Sequence, residues 1–114
     1  MKITKELYLV LRKKWFLEIL SGEKTEEYRD FTDYYIDRLC FLDKDGEIAG
    51  TKKFETVRFQ LGYTKNAPQI VVECKNVVIE YDNEDDVEYT YDNSNFAIIL
   101  GDILEKINCE KIIF

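Results

Sequence analysis

Residues 22–29 read GEKTEEYR, which puts one lysine, one arginine and three glutamates into eight positions. If residues 25–31 are extended, side chains alternate between two faces. Thr25, Glu27, Arg29 and Phe31 then share one face, and Glu26, Tyr28 and Asp30 the other. Lys24 stands at the turn just before them. Lys24 and Arg29 offer contacts to an anion, and Glu27 offers a hydrogen-bond acceptor. That combination suits a phosphate beside a polar base edge. Opposite charges in contact stabilise each other's ionised forms. The same residues also suit an exposed ion-pair cluster of small energetic worth, and spacing alone favours that structural reading.

The elements that must position this segment are readable on either side. Lys13–Ser21 has apolar residues at 15, 16, 19 and 20, the spacing of a helix with one apolar stripe. Gly22 follows as a helix-ending glycine. On that stripe Trp15 is expected to pack in the core. Leu7–Leu11 reads as a buried strand before the helix. Asp33–Cys40 is predicted as a second short helix with Thr32 or Asp33 as its N-cap. A turn centred on Asp45-Gly46 is expected over 43–51.

Phe54–Leu61 alternates as a strand, and Gly62–Pro68 is a loop. Gln69–Tyr81 is a long Val/Ile-rich strand with a bend or bulge at Lys75-Asn76. Phe96–Leu100 is a buried strand that Gly101 and Asp102 are expected to end. The period of residues 103–114 fits strand or helix. The pattern predicts one α+β domain over residues 1–114, with about six mostly antiparallel strands, a sheet curled into a barrel and two short early helices.

Charge restricts the partners. The net charge is −7. Residues 1–66 hold 13 basic and 12 acidic side chains, and residues 67–114 hold 3 and 11. Tight, nonspecific binding of long duplexes is therefore disfavoured, and any nucleic acid must meet a local basic patch in the first half. Five acids crowd residues 82–88, read as a solvated loop. Through Asp85 and Asp86 this run could also contact a basic protein. Tyr34-Tyr35, Tyr89 and Tyr91 are candidates for an interaction face, with sheet packing the simpler fate.

The three cysteines, Cys40, Cys74 and Cys109, are widely spaced, and there is no histidine. No zinc site is expected, nor any other metal or cofactor. Buried thiols in a reducing cytoplasm fit better than a disulfide framework. No run approaches the ~20 apolar residues of a membrane span, and the N-terminus lacks the apolar stretch of a signal peptide.

GEKTEEYR resembles the ASCH-domain signature G-x-K-x-x-E-x-R, with Gly22, Lys24, Glu27 and Arg29 at its fixed positions. The helix with Trp15, Phe16 and ILSG, then VRFQLGYTKNAP, IVVECKNVVI and FAIILGDIL, look like a phage- or prophage-type branch of that family. The resemblance implies a PUA-like β-barrel with a cleft lined by the motif, binding RNA or a nucleotide or nucleoside. Lys24, Glu27 and Arg29 would meet the ligand, and Gly22 would allow the turn. For base stacking, Tyr63 beside Asn66 and Lys65 is the preferred aromatic, ahead of Tyr28 and Trp15.

Some small ASCH proteins are amidohydrolases that act on N4-acetylcytidine, and a ribonuclease reading attaches to other relatives. By that resemblance the catalytic candidates are Lys24, Thr25 and Glu27. Glu27 stands where those amidohydrolases carry their threonine, which removes the hydroxyl from its expected place. Thr25 is a poor substitute, because a nucleophile needs a base within hydrogen-bond reach.

Overall fold

The computed structural model describes residues 3–81 and 93–112. The acidic run at 82–88, Tyr89 and Tyr91 lie outside the described residues. In chain order the elements are β1 (Ile3–Leu11), α1 (Lys13–Ser21), β2 (Glu26–Asp30), α2 (Asp33–Leu39), β3 (Cys40–Leu42), β4 (Ile48–Thr51), β5 (Lys53–Leu61), β6 (Gln69–Tyr81) and β7 (Ser94–Ile107). A 3-10 turn, Cys109–Lys111, follows. Five strands form one mixed sheet in the order β1-β5-β6-β7-β2, and β3-β4 form a separate hairpin. Among the described residues only the β1–β5 ladder is parallel.

One face of the sheet holds the core. Leu7, Leu9 and Leu11 alternate inward on β1 and stand beside Val57, Phe59 and Leu61 of β5. Val72 and Ile70 of β6 continue those rows, and Val77 pairs with Ile98 of β7. Phe16 and Ile19 of α1 and Leu39 of α2 cover them. Each such side chain, fully buried, contributes about 1.5–3 kcal/mol.

The sheet curls because β6 and β7 are long and irregularly matched. Cys74 faces Leu100 while Asn76 faces Ile99, so Lys75 is an extra residue on β6. This is the bulge expected at Lys75-Asn76. On β7 the extra residues are Leu104 and one of the Gly101-Asp102 pair, which stand opposite Glu73. Each bulge bends its strand and increases the local twist.

Gly101 leaves the space that the Glu73 side chain occupies: a Cβ there would collide with Glu73 Oε1. Gly101 and Asp102 therefore do not end the strand, as the sequence had implied. They kink it, and β7 runs on to Ile107.

Two further differences are local. The stretch 43–51 is a turn only in part: Asp43 Oδ1 accepts from the amides of Asp45 and Glu47, and Ile48–Thr51 then pairs with Cys40–Leu42. The described residues hold seven strands where about six are expected: the three- and four-residue strands carry little pattern, and the stretches at 96–100 and 103–107 are one strand. Trp15 is not in the core. It is 39% exposed, while its stripe neighbours Phe16 and Ile19 are buried.

Burial raises the thiols of all three cysteines, Cys40 to about 11, with Lys52 nearby pulling the other way. Cys74 and Cys109 shift the same way, also led by desolvation. They are poor nucleophiles. No helix among the described residues is long and apolar enough to cross a membrane.

Candidate functional site at the sheet seam

The two edges of the curled sheet are β1 and β2, and they come within one side chain of each other. Even-numbered carbonyls of β1 point away from β5 into this seam. Val10 O accepts from Arg29 of β2 at 3.2 Å, and Tyr8 O accepts from Arg38 of α2 at 3.1 Å. No backbone ladder joins β1 to β2. Two arginines cap the open edge instead, one of the ways an unpaired strand is kept from pairing elsewhere.

Local structure fixes where the motif points. Gly22 ends α1 at φ 88° and donates to Ile19 O at 3.1 Å. That left-handed conformation favours glycine. The Lys24 amide then donates to Glu18 O at 3.0 Å, and Thr25 O accepts from Leu100 N at 2.9 Å. Lys24 is thereby pinned between the end of the helix and the start of β2. In the β2–β7 ladder Glu27 stands opposite Ile98 and Arg29 opposite Phe96. They share a face, as alternation predicts, and that face is the inside of the curl.

Glu27 is 6% exposed and is the buried charged residue of the described core. Its Oε2 accepts from Arg29 at 2.8 Å, and Lys24 Nζ lies 3.7 Å from its Oε1. Arg29 also donates to the Tyr35 hydroxyl at 2.8 Å. The Arg29 Nε is buried and meets no acceptor among the described residues. The cluster is thus a partly buried network tied to the fold, unlike the exposed ion pairs that the spacing alone favoured.

The Lys24 ammonium stands 5.0 Å from the Trp15 ring centroid and 4.8 Å from that of Tyr28. Both distances fall within cation–π range. The Tyr28 hydroxyl ionises above its usual range, first because it donates to Glu26, then through desolvation and the charges of Glu26 and Glu80.

These residues surround an open cavity of about 460 Å³. Arg12, Trp15, Lys24, Glu27, Tyr28, Arg29, Asp30 and Tyr35 line it. Of the residues singled out in the sequence, Lys24, Glu27 and Arg29 meet there. Thr25 and Gly22 border a different cavity, which Lys24 also touches. Tyr63, 86% exposed, and Asn66 do not line the seam cavity. The aromatics that do are Trp15 and Tyr28, the two ranked lower.

Arg12 is not among the residues the sequence singles out, and Tyr35 is there only as part of a candidate interaction face. The signal for Arg12 is the run Arg12-Lys13-Lys14 directly before Trp15. Nothing local marks Tyr35, whose place depends on how α2 crosses the seam. Among the described residues no group of acids and cysteines is arranged to hold a metal ion. No family model, no curated protein and no solved structure matches the chain.

Proposed function

We propose that the chain is a PUA-like domain of ASCH type that binds RNA or a nucleotide in the seam cavity. One observation carries the reading: three cations, the buried carboxylate of Glu27, the exposed one of Asp30 and two half-exposed aromatic rings converge on a single cavity. Lys24 supplies the charge for a phosphate. Trp15 and Tyr28 supply faces for a base, and stacking on such rings is worth roughly 1–3 kcal/mol per base. Glu27 Oε1 lies beyond hydrogen-bond distance of Lys24 and is the acceptor for an amino group. The volume falls within the roughly 300–1,000 Å³ typical of small-ligand sites.

Hydrolysis of a modified nucleoside would need a hydroxyl at the same cavity. Thr25 is absent from its lining, and Lys24 is engaged by two rings and a carboxylate. Binding is therefore the reading argued.

Trp15 is the chain's only tryptophan, so its fluorescence reports on the cavity without a label. Addition of mononucleotides or short single-stranded RNA is expected to quench it saturably. Lys24→Ala is expected to weaken binding at least ~10-fold, since a charge-assisted contact contributes about 1.5–3 kcal/mol. The fold should persist, because Lys24 lies at the turn after α1 and not in the hydrophobic core. Unchanged fluorescence at millimolar ligand, or equal affinity in Lys24→Ala, would overturn the assignment.

A further inference from the structure

A pocket built for a free small ligand encloses most of it, roughly 70–90% of its surface. The seam cavity does not. Tyr28 is 48% exposed and Trp15 39%, and Arg12 on the rim is exposed. The open side leads to the start of α1, where Arg12-Lys13-Lys14 forms the sequence's only run of three consecutive cations.

Lys14 Nζ stands 4.6 Å from the Trp15 ring centroid, and Lys24 Nζ stands 5.0 Å from the same centroid. The two ammonium groups are thus within about 10 Å of each other, one at the cavity and one outside it. The first turn of α1 adds to this field: it has no acidic residue, and Arg12 makes no side-chain cap. Exposed first-turn amides favour negative charge.

Resting on the reading of the cavity as a nucleotide site, we infer that its ligand is a single strand of RNA, with one nucleotide in the cavity and the adjoining phosphate on Arg12 and Lys14. The Trp15 ring contacts both Lys14 and Lys24, and it takes the linking base as their ammonium groups turn to the phosphates. A duplex is a poorer match, because its base faces are already stacked and cannot meet Trp15 and Tyr28. The chain's net charge of −7 opposes extended backbone contact beyond this short track.

The test titrates Trp15 fluorescence with adenylate and uridylate oligonucleotides of one, three and six residues, at several salt concentrations. The trimer is expected to bind at least ~10-fold tighter than the mononucleotide. Each added phosphate contact should steepen the logarithmic salt dependence by about 0.7. Lys14 lies outside the cavity lining, so Lys14→Gln should reduce that gain and that slope while leaving mononucleotide affinity and the melting temperature unchanged.

Mononucleotide binding with no gain for the trimer overturns the strand track alone. A trimer affinity that Lys14→Gln does not lower also overturns it. Failure of every length to quench overturns the cavity reading and the track with it.

Discussion

Arg29→Ala is expected to destabilise the protein by about 3 kcal/mol, read as a lowered urea midpoint at unchanged slope. The truncated guanidinium makes three contacts: to Glu27 Oε2, to the Tyr35 hydroxyl and to Val10 O across the seam. The lost bonds are the smaller part, at about 1 kcal/mol each where a neutral partner remains reachable by water. The larger part is Glu27, which stays 6% exposed with Lys24 at 3.7 Å as its nearest cation. Removing one member of a buried pair costs about 3–5 kcal/mol for that reason, and the 17% exposure of the Arg29 side chain places this case at the lower end.

Two companions isolate the cause. Arg29→Lys keeps the charge but not the planar fork, so it should recover only part of the loss. Glu27→Gln in the Arg29→Ala background removes the stranded charge and should restore at least ~1 kcal/mol. If the double variant is no more stable than Arg29→Ala, the stranded carboxylate is not the cause.

Phe96→Ala is expected to cost about 4 kcal/mol, the largest effect of a single substitution considered. Phe96 is fully buried on β7, opposite Ile79 of β6 on one side and Arg29 of β2 on the other. Its ring centroid is 5.2 Å from that of Phe31, in a tilted pair. Truncation forfeits the transfer energy of a phenyl group and leaves a cavity that β7, held between two ladders, cannot collapse to fill.

The effect reaches the site, because Phe31 and Phe96 anchor the end of β2 that carries Arg29. Domains of this size have only about 5–15 kcal/mol in total. The variant should therefore melt early and show faster amide exchange on β2. A loss under 1 kcal/mol would mean that Phe96 is not the anchor of β2.

Much of this arrangement was legible from residue patterns, and the failures have physical causes. The limits of α1 were readable because an apolar stripe ends at a glycine that adopts φ 88°. The shared face of Glu27 and Arg29 followed from strand alternation, but not its burial, which spacing alone gave as exposed. The full span of β6 and its bulge at Lys75 followed from a Val/Ile run interrupted by two polar residues.

Gly101-Asp102 misled because a glycine beside an acid resembles a strand end. Only the facing Glu73 reveals that it is a kink. Trp15 misled because its place on an apolar stripe implies burial, whereas two lysines and the cavity rim take its ring. Tyr63 was preferred for its loop, but which loops reach the cavity is set by where the sheet's edges meet. That meeting of β1 with β2 is a long-range closure that no local pattern encodes, and it places Arg12 and Tyr35 at the site.

The most direct test of the central claim is an NMR titration of the labelled protein with a short single-stranded RNA, with cytidine and N4-acetylcytidine alongside. Saturable shifts are expected for the backbone amides of residues 12–15 and 22–29 and for the Trp15 indole, with the amides of 62–66 unmoved and no acetate released. Shifts confined to 62–66, or no shifts at millimolar ligand, would contradict a nucleotide site at the seam.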